Sequence, residues 1–285
     1  MTKARKYHKL LLPVGISGEQ IKICDSKKSM HPILLKIGSF NIYAWGVCAL
    51  LGFALGASLF LYQTKKENLK KREIFFFLFY IIISAIVGAR AFYVLNYPYQ
   101  YLKNPQDILK IWQGGLVLYG GFIFALAVGF FFIRRHHLPF WKIANVSAPS
   151  IALGISVGRI GCLLNGCCYG KPWDKGLVFS LTSPAGRAFP HQPLIPTQLI
   201  SSVDMLAIFL LLTILKRYKW FASRSFLWLL ILYSLHRFII EFLRADSIRI
   251  FLNLTFSQFL SVIIGVSAAV LMIFDTSLKM DILDS

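Results

Sequence analysis

The chain has 285 residues, of which 56% are hydrophobic, and its mean hydropathy is +0.63. A soluble domain of this size would not hide so much apolar surface, so lipid is its expected solvent. The formal charge of +19 comes from 31 Lys and Arg against 12 Asp and Glu. Most of this charge falls in short loops between apolar runs, which fits anionic lipid headgroups better than nucleic acid, and no nucleic-acid partner is predicted.

Seven apolar segments, each near the ~20 residues that cross hydrocarbon, predict an all-α integral membrane protein with about seven transmembrane helices. They are 41–62, 74–96, 115–133, 143–164, 197–215, 225–243 and 254–274. Residues 1–35 are polar and basic and predict an N-terminal extension. Residues 36–275 predict the membrane domain, and residues 276–285 a short C-terminal tail.

Loop charges predict the orientation. The connections after the first, third and fifth segments are rich in Lys and Arg, whereas those after the second, fourth and sixth carry fewer per residue. Because basic loops stay in the cytoplasm, the N-terminus is predicted outside and the C-terminus inside. The basic N-terminal extension argues for the opposite orientation.

The most informative stretch, Gly158–Gly170, closes the fourth segment with an arginine, three thiols, an amide and four glycines. An arginine at a helix centre costs roughly 2.5–3.5 kcal/mol on insertion scales and usually faces a cavity or an ionic partner. Arg159 has no acid within one helical turn, which favours a functional role for it.

Cations outnumber acids in the predicted helical segments. The cations are Arg90, Arg159, Arg237 and Arg244, and the acids are Asp204 and Glu241. Arg237 and Glu241 are four residues apart and share a helix face, where they form either a self-neutralising pair or part of a site. Arg90 alternatively snorkels to the interface. Because guanidinium groups match phosphate oxygens, we predict a lipid-accessible central cavity that opens toward the outer leaflet and binds an acidic headgroup.

Two glycine pairs, Gly114-Gly115 and Gly120-Gly121, bracket Tyr119 at the start of the third segment. They either allow close helix packing or let backbone amides approach a ligand. Close packing is the expected role of Gly52 and Gly56.

Gly166 is a predicted helix stop that places Cys167 and Cys168 in a turn. With Cys162, these thiols are packing residues, a redox pair, or metal ligands with His191 as a fourth. Their spacing matches no standard zinc pattern, so no metal and no cofactor are predicted.

Five motifs together resemble the prolipoprotein diacylglyceryl transferases, in order and over about residues 36 to 274. The motifs are Gly88-x-Arg90-x-x-Tyr93-Val94-Leu95, Trp112-x-Gly114-Gly115-x-x-x-Tyr119-Gly120-Gly121, Gly158-Arg159-Ile160-Gly161 with Asn165-Gly166 and Gly170, Pro196-Thr197-Gln198-Leu199, and Arg237-Phe238-x-x-Glu241-Phe242-x-Arg244.

The resemblance implies a bacterial inner-membrane enzyme whose site faces the periplasm. Such an enzyme moves the diacylglyceryl group of phosphatidylglycerol to the lipobox cysteine thiol of a prolipoprotein signal peptide and releases glycerol 1-phosphate. Its implied partners are these two substrates and membrane lipids. It implies catalytic roles for Arg159, Arg237, Glu241 and Tyr119, and substrate binding by Arg90, Gly120, Gly121, Cys162, Asn165, Gly170 and Arg244.

The sequence departs from the family pattern at four positions. Tyr119 stands where the family has a histidine that is a candidate base, and a phenol with a pKa near 10 is a poor base. Cys162 replaces an asparagine, Cys167 replaces a glutamate, and Trp45 replaces a tyrosine. Two other functions therefore stay open: a membrane thiol–disulfide oxidoreductase and a non-catalytic lipid-binding or transport protein.

Overall fold

The computed structural model describes residues 33–37, 40–110, 115–251 and 253–274. Most of the predicted N-terminal extension and the whole predicted tail 276–285 lie outside these residues, as do Trp112 and Gly114.

Helices dominate the described chain. In order it forms β1 (Ile33–Ile37), β2 (Phe40–Tyr43), α1 (Ala44–Lys66), α2 (Lys71–Asn96), α3 (Pro98–Lys103), a 3-10 helix (Pro105–Leu109), α4 (Leu118–Arg135), α5 (Phe140–Asn165), β3 (Pro172–Val178), α6 (Pro184–Ala188), β4 (Pro193–Leu194), α7 (Thr197–Leu215), α8 (Lys219–Ala222), α9 (Ser225–Leu243), β5 (Arg249–Phe251), β6 (Leu254–Thr255) and α10 (Phe256–Phe274). The strands form three small antiparallel sheets, which pair β1 with β2, β3 with β4, and β5 with β6.

Long apolar helices confirm the all-α membrane class. Among the described residues, six helices are long and apolar enough to cross a membrane, namely α1, α2, α5, α7, α9 and α10. The third predicted segment corresponds to α4, whose 18 residues span about 27 Å at the helical rise. The fifth and sixth predicted segments match α7 and α9. The first was predicted to start too early, because residues 41–43 pair with β1.

The central helix is α5, which packs against α1, α7 and α9, while α4 packs along α2 and α10 along α9. Small residues allow these close approaches, as predicted for Gly52 and Gly56. A Cβ added at Gly52 would lie 2.7 Å from the Gly154 carbonyl oxygen of α5, and one at Gly56 would lie 2.9 Å from the Ser150 carbonyl oxygen. The α1–α5 contact therefore depends on backbone-to-backbone packing.

The two ends of the bundle differ in chemistry. At one end, here called the basic end, Glu67 after α1 lies 3.8 Å from Lys142 Nζ and 3.9 Å from Lys216 Nζ. These contacts bring together the ends of α1 and α7 and the first turn of α5. The opposite end, here called the site end, contains the C-terminus of α5 and the central motif.

Candidate functional site

A cavity of about 1020 Å³ lies between α1, α2, α4 and α5. Its walls are mostly aliphatic and aromatic, with residues such as Phe60, Phe77, Ile81 and Phe130. Its polar lining includes Arg159, Cys162, Cys167 and Cys168 at the site end. The volume lies at the upper end of the ~300–1,000 Å³ range of small-molecule pockets. A ligand with a long apolar part and one charged end would match the apolar walls and the polar end of this cavity.

Arg159 supplies the charge. It lies six residues before the end of α5, about 9 Å along the helix axis, and is half-buried. It forms no hydrogen bond or ion pair with any residue in the described ranges. A guanidinium keeps its proton at any physiological pH. The cavity therefore presents a cation that favours an anionic ligand.

The end of α5 is followed by the predicted turn. Gly166 has a left-handed φ of 69°, which confirms it as the helix stop, and its amide donates to the Leu163 carbonyl oxygen at 3.1 Å. Cys168 also has a positive φ of 58°. These two conformations turn the chain back, so that Sγ of Cys162, Cys167 and Cys168 lie within 4.8 Å of one another.

The N-terminus of α7 holds this turn in place. Thr197 Oγ1 donates to the Cys168 carbonyl oxygen at 2.6 Å, and Gln198 Nε2 donates to the Cys167 carbonyl oxygen at 2.8 Å. Both side chains are only 1% exposed. Sequence reasoning gave these residues no role, although the Pro196-Thr197-Gln198 motif was a signal for one.

Hydrogen bonds within the thiol cluster lower the pKa of the Cys168 thiol, and the charges of Arg244 and Arg159 lower it further. Both guanidinium groups are therefore within electrostatic reach of Cys168. Asn165, the last residue of α5, is half-buried beside this turn. Gly170 is buried, and a Cβ there would lie 2.6 Å from the Ile195 carbonyl oxygen.

The charged residues of α9 form a separate network, in which Arg237 and Glu241 are neighbours as predicted. Arg237 Nη2 lies 3.3 Å from Glu241 Oε2 and donates to Ser257 Oγ at 3.0 Å. Glu241 Oε2 is also 3.5 Å from Arg244 Nη1. Arg244 donates twice to Asp246 at 2.9 Å, a partner that the sequence did not reveal.

This network is joined to the cysteine turn through the backbone. Gly170 bridges to Arg244, and the Lys171 amide donates to the Leu243 carbonyl oxygen at 2.9 Å. Arg159 and Arg237 both act electrostatically on His236, whose Nδ1 lies 2.9 Å from Asp204 Oδ2. The central motif and the end of α9 are thus one region of the molecule.

The remaining candidates lie apart from the cavity, on α2 and α4. Arg90 is 7% exposed and donates to the carbonyl oxygens of Asp107, Ile108 and Gly115 at 2.6, 2.8 and 3.0 Å. Its guanidinium therefore holds the segment that precedes α4. Tyr119 is 69% exposed and does not line the cavity.

Gly120 and Gly121 face α2. A Cβ at Gly120 would lie 2.5 Å from the Gly88 carbonyl oxygen, and one at Gly121 would lie 2.8 Å from that of Ala85. These contacts give both glycines a helix-packing role in the structure. Gly115 has a φ of 77°, which favours glycine at the turn into α4.

Together the fold and the site define a multi-pass membrane protein with a lipid-sized cavity and a cation at its end. The chain belongs to the prolipoprotein diacylglyceryl transferase family, whose model matches residues 32–274.

Named relatives agree with the family. The chain is 33% identical over 249 residues to the phosphatidylglycerol–prolipoprotein diacylglyceryl transferase of Bacillus velezensis, covering 86% of this chain and 92% of that one. It is 36% identical over 239 residues to that of Geobacillus kaustophilus, covering 81% and 87%. It is 34% identical to that of Clostridium tetani over 244 residues, covering 83% and 96%.

The support of the cysteine turn is testable with two threonines of α7. We expect Thr197→Val to lower the free energy of unfolding by ~1–3 kcal/mol, because the half-buried Cys168 carbonyl loses the donor that the fully buried Thr197 supplies. Thr213 also donates to a carbonyl, that of Phe209 at 2.8 Å, but is exposed, so Thr213→Val is the matched control. Its effect should stay within about 0.5 kcal/mol. Denaturant unfolding in detergent measures both, and equal losses would contradict the role given to Thr197.

Proposed function

We propose that this protein is an enzyme that transfers the diacylglyceryl group of phosphatidylglycerol to the lipobox cysteine thiol of a prolipoprotein. The main support for the proposal is the position of Arg159. Its guanidinium has no described ion-pair partner and lies at one end of an apolar cavity of about 1020 Å³. The acyl chains occupy the apolar part of the cavity and the phosphate lies against Arg159. Family membership, and relatives whose names state this activity, support the assignment.

The reaction needs stabilisation of a developing anion. The lipobox sulfur attacks the glyceryl carbon, the carbon–oxygen bond breaks, and its electron pair leaves on the phosphate oxygen of glycerol 1-phosphate. A cation that is already held in place stabilises the developing anion, and so lowers the activation barrier without further reorganisation. Arg159 has this role in our proposal, because its charge lines the cavity and is not neutralised by a described carboxylate.

Arg237 and Arg244 form the second cationic part of the site. Glu241, only 3% exposed, lies near both guanidinium groups and accepts from Ser247 Oγ at 2.6 Å. It orients Arg237 toward the leaving group and keeps Arg244 beside the cysteine turn. Partial neutralisation by Glu241 and Asp246 makes this pair better suited to orientation than to binding the whole headgroup charge.

The other predicted residues shape the surroundings. Cys162, which lines the cavity, and Asn165, the last residue of α5, contact the headgroup in this proposal, and Gly170 keeps the turn close to α7. Arg90, Gly120 and Gly121 act on substrate binding indirectly by fixing α4 and the preceding segment. Tyr119, exposed at the start of α4, donates a hydrogen bond to the incoming lipobox segment.

The orientation in the bacterial inner membrane is also a proposal. The basic end brings together the three Lys- and Arg-rich connections, which fits the cytoplasmic face. The site end then faces the periplasm, where the prolipoprotein signal peptide and the outer-leaflet lipid arrive. The N-terminus is outside and the C-terminus is cytoplasmic.

Exposed loop residues test this orientation. We expect a membrane-impermeant maleimide to label Lys175→Cys of β3 in intact spheroplasts, above the background of the unsubstituted chain. His137→Cys, in the connection between α4 and α5, should be labelled only after permeabilisation. The reverse pattern would show the opposite orientation.

Substitution of Arg159 tests the reaction itself. In purified protein supplied with acyl-labelled phosphatidylglycerol and a lipobox peptide, Arg159→Ala should lower the transfer rate by at least about 100-fold, since one stabilising donor of an oxyanion is typically worth that much. Arg159→Lys should recover part of the rate, because it restores the charge but not the guanidinium fork.

The matched control is Arg135→Ala, which removes an exposed arginine at the basic end and should keep the wild-type rate. Full transfer by Arg159→Ala would exclude the proposed role. Lipid binding without any turnover in the unsubstituted protein would instead identify a lipid-binding or transport protein.

A further inference from the structure

The three cysteines of the central motif form a group whose capacity to bind a metal ion the reaction above does not use. All three are half-buried and line the cavity, and their sulfurs lie within 4.8 Å of one another. In a tetrahedral zinc site each sulfur lies about 2.3 Å from the ion, and the sulfurs therefore lie roughly 3.8 Å from one another. The cluster therefore needs only small rotamer adjustments to surround a metal ion.

The protein fixes the cluster from two sides. Cys162 is on the last turns of α5, and the carbonyl oxygens of Cys167 and Cys168 accept from Gln198 and Thr197. The left-handed conformation of Cys168 directs the chain back toward Cys162. This is a supported arrangement of the kind that metal ligands require.

The chemistry of the donors selects the ion. No imidazole or carboxylate of the described residues belongs to the group, and His191, the fourth ligand considered from the sequence, is exposed and outside it. Three thiolates are soft ligands that suit a d¹⁰ ion such as zinc. Zinc sites with three protein ligands are the catalytic kind, because the fourth position remains for water or substrate.

We propose that Cys162, Cys167 and Cys168 bind one zinc ion whose fourth ligand is the lipobox thiol of the incoming prolipoprotein. This inference rests on the proposed function and supplies what that function lacks, namely activation of the nucleophile where Tyr119 replaces the histidine of the family pattern. A thiol that coordinates zinc is deprotonated, and a thiolate is the reactive form of cysteine.

The step balances without an oxidant or reductant. The lipobox thiol loses its proton to water as its sulfur binds zinc. The thiolate electron pair then forms the sulfur–carbon bond, the carbon–oxygen bond breaks, and that electron pair leaves with the phosphate of glycerol 1-phosphate. Zinc keeps its charge throughout.

Metal content tests the site directly. The full-length chain, purified in detergent with a non-thiol reductant and equilibrated with zinc, should contain one zinc per chain by elemental analysis. Cys162→Ser, Cys167→Ser and Cys168→Ser should each weaken zinc binding by more than about tenfold. The control is Cys24→Ser/Cys48→Ser, which removes the other two cysteines of the chain and should bind zinc normally.

Cobalt tests the fourth position without any substitution, so misfolding of a variant does not decide the result. The cobalt-loaded chain should show thiolate-to-cobalt charge-transfer absorption. This absorption should change when a lipobox peptide is added, but not when its cysteine is replaced by serine. An unchanged spectrum with the cysteine peptide would overturn the inference, as would zinc retention in all three serine variants or a disulfide between two of the cysteines.

Activity separates this inference from the proposed function. Removal of zinc by a chelator should lower transfer at least about tenfold, and added zinc should restore it. Full transfer by the metal-free protein would overturn the zinc site and leave the transferase assignment intact. Bound zinc and a responding cobalt spectrum, but no transfer from phosphatidylglycerol, would overturn the transferase assignment and leave the thiol-binding metal site intact.

Discussion

The structure depends on a guanidinium that is held in an apolar cavity without a carboxylate of its own. Arg159 cannot lose its proton, and an unpaired charge in a low-dielectric region is costly. An anionic ligand that binds next to Arg159 lowers this cost. The neighbouring helices supply an apolar compartment of about 1020 Å³, and thus a place for the acyl chains of a ligand whose charge meets Arg159.

The arginines at the site end have two different environments. Arg159 has no described ion-pair partner, whereas Arg237 and Arg244 share Glu241, with Arg244 also paired to Asp246. Paired cations hold a geometry and keep little net charge, while an unpaired one binds and stabilises an anion. The backbone bridge between Gly170 and Arg244 keeps the two environments in register. Movement of the cysteine turn would therefore move the α9 network with it.

The sequence predicted those features that depend on local periodicity. Apolar runs predicted the long helices, the spacing of Arg237 and Glu241 predicted their shared face, and Gly166 predicted the end of α5. These features need only neighbours within about one helical turn. Apolar composition also predicted the membrane class, and the resemblance to a family added the reaction type.

Contacts between residues that are far apart in the sequence were not predicted. Arg90 donates to the carbonyl oxygens of Asp107, Ile108 and Gly115, which are up to 25 residues away in sequence. Gln198 donates to the carbonyl oxygen of Cys167, which is 31 residues away. The convergence of the three sulfurs depends on the positive φ of Cys168, which cysteine rarely adopts and which its sequence spacing does not signal. The sequence therefore left metal ligation by the three thiols and His191 as one of several alternatives, whereas the structure brings the three sulfurs together without His191.

The preference of the cavity for one lipid headgroup over another tests the role of Arg159. Native mass spectrometry of the chain with chain-matched phosphatidylglycerol and phosphatidylcholine reports how much the cavity prefers an anionic headgroup. We expect a clear preference for phosphatidylglycerol in the unsubstituted chain and the loss of this preference in Arg159→Gln, while the apolar walls maintain the total lipid occupancy. Equal binding of both lipids, or an unchanged preference in Arg159→Gln, would contradict it.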